Sequence, residues 1–312
     1  MLAEHSTVSI VTVLYNSASV IEALLATTPP DAELIVVDNA SADDGATRAL
    51  RAQRDLTLVR AETNLGFGGG CNLGWVRATR PYIAFVNPDV RLQPDTLSIL
   101  VERLRQEPHG IVGPAMLDEH GSLRSPNRHQ SVFLDFIHLF PSAGRWTHRL
   151  GWDGRVSAEH PVRRYGGPVA FVEGACFVVR KSDLEAIGGF DTDFFLYCEE
   201  QSLALRLKRL GGRSFYDPAA VARHSGAHAT NVVAPLALSH YFRSRVILYR
   251  KRDGAVRGCL SAALLLVGAV CQFVIALANH AMGRVSNNTP LLTLAILRGI
   301  VSGTLARLQS DH

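Results

Sequence analysis

Asp89 stands directly after Asn87 and Pro88, at the end of the apolar run YIAFV. Proline fixes the backbone there, so the carboxylate is projected beyond a strand end. An acid in that place suits a hard divalent cation that also binds phosphate oxygens. Such a cation neutralises the charge that builds on a departing diphosphate. A turn acid ahead of the helix beginning near Pro94 accounts for the same residue with no ligand. Asp38 closes the run ELIVVD and can accept a hydrogen bond from a base imide or a ribose hydroxyl. An N-cap or Asx turn, to which Ser41 and Asp43 are also suited, serves equally. Glu199 and Glu200 open a helix whose Leu203, Leu207 and Leu210 share one face, closed by Gly211 and Gly212. One acid of such a pair can deprotonate an acceptor hydroxyl while its neighbour positions that hydroxyl. Stabilisation of the helix dipole, about 0.3–1 kcal/mol, is a structural reason for the same pair. His224, after FYDPAAVAR, is a candidate for binding metal or phosphate, with a structural histidine as the alternative.

NLGFGGGCN places Gly66, Gly68, Gly69 and Gly70 between a strand and a helix. Glycines there allow close backbone approach to a ligand and present amides to an anion; a tight turn is the structural alternative. A dinucleotide fingerprint is disfavoured. Cys71 stands at its third glycine position, and the loop does not follow the first strand, where VLYNSAS stands instead.

These side chains need strands to carry them. Residues 8–90 alternate apolar runs (VSIVTVL, ELIVVDN, LTLVRAE, YIAFVNPDV) with helical stretches at SASVIEALLAT, from Asp43 to Arg54, and after Gly70. Continuous apolar runs alternating with helices predict βαβ units and a mainly parallel sheet. Ligands in such sheets bind beyond the carboxyl ends of the strands, so Asn16, Asp38, Asn64 and Asp89 should converge on one edge. A helix follows from Pro94 to Gln106, then the strand GIVGPAML. Residues 118–168 are irregular, either a specificity region or surface excursions. A second ordered block runs from Val169 to His224, with VAFVEGACFVV read as one strand, then the helix SDLEAIGG.

The chain has 312 residues, a net charge of +4, and 47% hydrophobic against 19% charged composition. That describes a globular α/β protein with an apolar bias and excludes intrinsic disorder. Mild basicity suits nucleotides, lipid phosphates or a bilayer surface. Cys71, Cys176, Cys198, Cys259 and Cys271 form no CxxC pair, which points to neither a disulfide framework nor a zinc site. The N-terminus reaches a strand-like run almost at once, without the basic start and apolar region of a secretion signal. Near the C-terminus, Arg243, Arg245, Arg250, Lys251, Arg252 and Arg257 surround a single acid, Asp253, before the run CLSAALLLVGAVCQFVIALA. About twenty apolar residues can span a bilayer; flanking cations fit the positive-inside rule with the rest cytoplasmic. An interfacial helix or a buried core helix fits the same run.

In this order, VSIVTVLYNS, ELIVVDNASAD, NLGFGGGCN, FVNPDV, GACFVVRKSDLEAIGGFDTDFFLYCEE and PAAVARHSGAH resemble glycosyltransferase family 2, the inverting enzymes of the GT-A fold. The likeness runs from about Val8 to His224 and is nearest to bacterial rhamnosyltransferase-like members that work on polyprenyl diphosphate carriers. It implies an α/β, GT-A-type (Rossmann-like) sheet over residues 1–235. A nucleotide-sugar-binding half would occupy 1–115 and an acceptor and catalytic half 116–235, with a basic and apolar membrane-associated helical tail over 236–312. By position it makes Asp38 the base contact, with Asn16, Asn64, Gly66, Asn72 and Asn87 lining the donor site. Asp89 becomes the metal ligand, Gly174 and Ala175 flank the donor sugar, and Glu200 is the base with Glu199 as fallback. The family pair is usually Glu-Asp, and a further family acid is Ser202 here. The QxxRW element of processive synthases is absent, which favours single-sugar transfer.

The resulting expectation is a metal-dependent (Mg2+ or Mn2+) inverting hexosyltransferase at the cytoplasmic face of the membrane. It would move a sugar, rhamnose from dTDP-rhamnose being one candidate, from a dTDP or UDP donor to a lipid-linked or glycan acceptor in cell-envelope polysaccharide synthesis. His224 joins Asp89 as a candidate metal ligand, nucleic acid is not an expected partner, and homodimerisation is left open. A nucleotide-sugar pyrophosphorylase would need a basic glycine-rich loop near the first strand, and VLYNSAS lacks one. A noncatalytic nucleotide-sugar-binding protein remains the other alternative.

Overall fold

The structure, a computed structural model, describes residues 4–52, 55–124, 131–140, 160–226, 234–283 and 289–309. It divides into two compact units. One holds the described parts of 1–127, 156–192 and 199–228, and the other those of 128–155, 193–198 and 229–312.

The first unit is built on strands β1 (Val8–Leu14), β2 (Glu33–Asp38), β3 (Thr57–Arg60), β4 (Tyr82–Val86), β5 (Val90–Leu92), β6 (Gly110–Leu117), β7 (Gly167–Val169), β8 (Cys176–Arg180) and β9 (Arg213–His224). They form one sheet in the order β3-β2-β1-β4-β8-β6-β9-β5, with β7 added on β9. The strands read as unbroken apolar runs because both faces are covered. In β1, β2, β4 and β8 alternate side chains enter opposite cores: Ile10, Val36, Ala84 and Val178 one side, Val11, Ile35, Phe85 and Phe177 the other. The second core is tied by the Phe85, Phe177 and Phe190 rings, with Phe85 and Phe190 edge to face at 4.8 Å.

β1 to β4 are parallel, as their alternation with helices predicted. β8 then enters antiparallel between β4 and β6, so the sheet as a whole is mixed rather than mainly parallel. The run VAFVEGACFVV, read as one strand, is broken: Val169 ends β7, residues 170–175 lie outside either strand, and Cys176 opens β8. The strand through YIAFV ends before Pro88 as expected; the chain turns at Asn87 and enters β5 at Val90. The helix placed after Gly70 begins at Gly66. Of residues 118–168, 125–130 and 141–159 lie outside the described residues.

In the second unit, helices Ala234–Asp253, Ala255–Ala281 and Thr289–Leu305 accompany the short helix Val132–His138. A Cβ on Gly303 would lie 2.6 Å from the Arg243 carbonyl oxygen, and one on Gly299 would strike that of Ser239. The first and last long helices therefore meet backbone to backbone, as small residues one turn apart allow. Arg245, fully buried, donates to Asp135 at 2.7 Å and to Tyr249 at 2.6 Å, while the Tyr249 hydroxyl donates to Asp135 at 2.6 Å.

Candidate active site

The strand order reverses between β1 and β4, where one strand's connection leaves toward β2 and the next returns beyond it. Clefts for ligands open at such a switch point, outside the carboxyl ends of the strands. Asn16, Asp38, Asn64 and Asn87-Pro88-Asp89 all follow those ends.

The loops after β1, β2 and β3 are laced by short polar side chains. Asn16, at φ 53°, accepts from the Ala42 amide at 2.8 Å, and Asp38 accepts from the Ser41 amide at 3.0 Å, an Asx-type turn. Buried Asn39 donates to the Asn64 side chain and to the Gly66 carbonyl, both at 3.0 Å, and accepts from the Leu65 amide. Asn64 also accepts from the Gly66 amide at 2.9 Å. Asn16 and Asn64 thus shape the rim, while the Asp38 carboxylate keeps a second oxygen 3.9 Å from Arg60.

The helix Gly66–Trp75 explains its glycines by packing. A Cβ on Gly70 would lie 2.6 Å from Val13, and one on Gly74 would strike Val11, so the helix lies down on β1 only because both are absent. Asn72, on the same helix, uses both ends of its amide. It donates to the Phe190 carbonyl at 2.9 Å and accepts from the Phe190 amide at 2.8 Å and from Trp75 at 2.9 Å. Its evident task is to clamp the Phe190 loop.

Asp89 meets His224 because β5 pairs antiparallel with β9, Val90 opposite His224. The Asp89 carboxylate lies 3.2 Å from His224 Nε2 and accepts from the Ser225 hydroxyl and the Gly226 amide, both at 3.2 Å. On the other side of the ring, His224 Nδ1 lies 3.4 Å from Glu173, which accepts from Arg124 at 2.9 Å. Burial works to raise the Asp89 pKa, but the hydrogen bond and charge of His224, with Ser225, hold it below its ordinary value. Glu173 is lowered likewise, burial being outweighed by His224 and Arg124. Burial disfavours the His224 cation, yet its two carboxylate neighbours prevail and raise its pKa to about 9.

The acidic pair is split by its surroundings. Glu199 is buried against Gly68, and its Oε1 has no hydrogen-bond partner among the described residues. Burial first, then the charge of Glu200, push its pKa well up, which favours the protonated form. Glu200 is half-buried, and its Oε2 would lie 3.3 Å from a Cβ on Gly174. The missing Cβ leaves room for that carboxylate. The Ala175 carbonyl accepts from the Asn87 amide at 2.8 Å, and the Asn87 side-chain oxygen is buried without a partner among the described residues. Two non-glycine residues at positive φ, Tyr197 at 71° and Cys198 at 68°, immediately precede the pair, a conformation costing about 1–3 kcal/mol each. Ser202, where a further acid was expected from the family pattern, contacts Asp191 at 3.4 Å.

Three consecutive residues therefore join both ends of the site: Glu173 touches His224, Gly174 lies under Glu200, and Ala175 holds Asn87. Glu173 and Arg124 were not singled out from the sequence. An acid inside an otherwise apolar run was the available signal for Glu173; Arg124, in the irregular stretch, gave none.

Asp89 and His224 are the residues that would hold a divalent cation, in place of their direct 3.2 Å contact. One hard oxygen and one imidazole converge, and both groups are largely buried. No cluster of three such ligands occurs among the described residues. Two protein ligands leave the remaining positions to phosphate oxygens and water, the usual pattern for a cation bound with a nucleotide.

Known proteins share this fold. A mannosyltransferase from Pyrobaculum calidifontis, solved with GDP-Man and Mn2+, superposes with a TM-score of 0.54 at 19% identity, over 96% of this chain and 87% of that one. GalNAc-T7, solved with UDP, GalNAc and Mn2+, gives 0.51 at 14% identity over 79% of this chain and half of that one. These likenesses establish the GT-A fold. In sequence, the chain is 28% identical over 261 residues to the N-acetylglucosaminyl-diphospho-decaprenol L-rhamnosyltransferase of Mycobacterium tuberculosis, 78% of this chain and 84% of that protein. It is 31% identical over 150 residues to the rhamnosyltransferase WbbL of Escherichia coli, 47% of this chain and 53% of that one. The model of glycosyl transferase family 2 matches residues 9–188, more than half of the chain, and the protein belongs to that family.

Proposed function

We propose that this glycosyltransferase moves a single sugar, with inversion, from a nucleotide diphosphate donor to a polyprenyl-diphosphate-linked or glycan acceptor in cell-envelope polysaccharide synthesis. dTDP-rhamnose is the leading donor, because two relatives in sequence are rhamnosyltransferases. The observation that carries the mechanism is the 173–175 strip, which couples the Glu200 carboxylate to the Asp89–His224 pair.

In this reading Asp38 accepts from the base or ribose, and Asp89 with His224 would hold Mg2+ or Mn2+ against the donor diphosphate. The cation, when bound, supplies charge neutralisation for the leaving group. Glu200, the more exposed of the pair, takes the proton from the acceptor hydroxyl. The acceptor oxygen bonds to the anomeric carbon on the face opposite the departing diphosphate, whose carbon–oxygen bond breaks, so the configuration inverts. Glu199, buried with its pKa pushed up by burial and by the Glu200 charge, opens the same helix. The basic and apolar tail, residues 236–312, associates with the cytoplasmic face of the membrane, where arginines meet lipid phosphates.

The test uses the full-length enzyme with dTDP-, UDP- and GDP-sugars, with and without Mn2+. Glu200→Gln should keep donor binding while transfer falls by about 10²–10⁴. Asp89→Ala should abolish the metal-dependent part of donor binding. Donor binding that needs no metal and survives Asp89→Ala would sink the metal–diphosphate assignment. Wild-type binding without transfer to any prenyl diphosphate acceptor would make the protein a noncatalytic binder.

A further inference from the structure

The helix Ala255–Ala281 is long and apolar enough to cross a bilayer. Its surface is sharply two-sided. Gly258, Ala262, Leu265, Ala269 and Ala276 are buried within the second unit. Val256, Leu260, Val267, Val270, Val274 and Ile275 are exposed along its whole length. At 100° per residue these exposed positions cover about 140° of one face. On the helix Thr289–Leu305, Leu291, Leu294, Val301 and Leu305 form a second exposed stripe, and Arg298 stands exposed midway along it. A water-facing side of a soluble bundle carries charges. These two sides carry only two cations, Arg298 and, at the edge of the longer helix's face beneath Ile275, Arg257 near its N-terminus.

The neighbours of the long helix argue against a span. Its midpoint, Gly268, lies under Phe136 and Leu139, since a Cβ there would be 2.8 Å from either. Phe136 belongs to the seven-residue helix Val132–His138, so in a span that helix would end, with free backbone groups, near the bilayer centre. Asp135, Arg245 and Tyr249 would be buried at the same depth. Arg298 would face hydrocarbon at mid-height, a costly place for a cation. A helix lying in the membrane plane meets none of these objections. Its apolar side enters the headgroup–acyl boundary while cations stay at the phosphate level. The charge is complementary to such a surface: residues 234–309 hold nine arginines and lysines against one acid, Asp253, and Arg257, Arg298 and Arg307 are exposed.

We propose that the helices Ala255–Ala281 and Thr289–Leu305 form a monotopic platform that lies in the surface of an anionic bilayer and does not cross it. This rests on the membrane association of the tail and fixes its mode. Val256 and Val274, exposed by 76% and 58%, are 18 residues apart, which is five full turns. They share one azimuth and are separated by about 27 Å along the axis. The experiment places a nitroxide at Val256→Cys or Val274→Cys in full-length protein with Cys259→Ser and Cys271→Ser. The three other cysteines are buried. Depth is read by collision with oxygen and with an aqueous nickel chelate, on phosphatidylcholine vesicles with and without phosphatidylglycerol.

Equal depth at both sites, on vesicles containing phosphatidylglycerol, is the expected result. Arg298→Gln and Arg307→Gln should each weaken vesicle binding about fivefold, with the melting temperature unchanged. Vesicle binding with depths differing by about 27 Å would replace the platform with a span and leave membrane association standing. No vesicle binding would overturn both readings; if both labels were then shielded in a dimer, the face would belong to a second copy of the chain.

Discussion

Two clusters of buried polar groups, one in each unit, are satisfied to different degrees. In the C-terminal unit Arg245, Asp135 and Tyr249 close a triangle of hydrogen bonds, each group answering the other two. In the sheet unit the Glu199 Oε1 and Asn87 Oδ1 atoms are buried with no partner among the described residues; Asn87 is bonded to the 173–175 strip, and Glu199 precedes the Glu200 that lies over it. A satisfied buried network costs nothing further once formed, and its value is rigidity. An unsatisfied buried group carries a desolvation cost of about 1–3 kcal/mol, tolerated where a ligand or a proton completes it. The contrast holds between these two clusters and not between whole units, since Arg250 Nε in the C-terminal unit and Thr12 Oγ1, Asp31 Oδ2, Arg180 Nη1 and Tyr216 Oη in the sheet unit are also buried without a hydrogen-bond partner among the described residues.

The largest effect should come from breaking the scaffold triangle. Asp135→Ala removes the carboxylate that faces the buried Arg245 guanidinium, a loss of about 3–5 kcal/mol. Denaturant unfolding should show it as a lower midpoint. The double variant Asp135→Leu with Arg245→Met removes both charges and should recover most of that loss. If the double variant were as unstable as the single, the triangle would not be a closed unit and the comparison would fail.

The site end of the contrast is sharpened by a proton. His224 is held near a pKa of about 9 by Asp89 and Glu173, so a cation binding at Nε2 must displace a proton at neutral pH. Asp89, lowered, is already ionised there. Mn2+ affinity, measured calorimetrically in buffers of different ionisation enthalpy, should rise about tenfold per pH unit below pH 9 with one proton released. His224→Ala should bind more weakly and without that slope. An unchanged slope in the variant would remove His224 from the cation site. In the absence of metal the sign is the reverse: His224 contributes stability below its unfolded pKa, and that contribution is lost as pH rises through about 9.

Much of this fold was legible because it rests on local pattern. Both-face burial makes β1, β2 and β4 read as unbroken apolar runs, and the strand ends put Asp38 and Asp89 on one edge. The site was legible only as far as sequence order reaches. That Asp89 meets His224 depends on Val90–Leu92, three residues long, pairing with a strand whose tail FYDPAAVARH shows no alternation. Glu173 was hidden because VAFVEGACFVV has the composition of one strand, and nothing local shows that residues 170–175 leave the sheet. The glycines of NLGFGGGCN carry a second reason that the sequence did not show: Gly70, like Gly74 just beyond the motif, lets the helix lie on Val13 and Val11 of β1. In each case the deciding contact is distant in the chain.

The smallest expected effect tests the unsatisfied side itself. Burial and the Glu200 charge raise the Glu199 pKa, so the folded state binds a proton that the unfolded chain releases above about pH 4.3. The unfolded state then binds fewer protons, and stability falls as pH rises from the ordinary carboxylate range through the folded pKa. Glu199→Gln keeps the shape and removes the titration. Its unfolding free energy should be flat where the wild type declines, with little difference near pH 4. Turnover should stay within a few-fold of wild type if Glu200 alone accepts the proton. A loss in Glu199→Gln as deep as that in Glu200→Gln would assign the base to the buried acid, and the unpartnered Oε1 would then be the reacting atom.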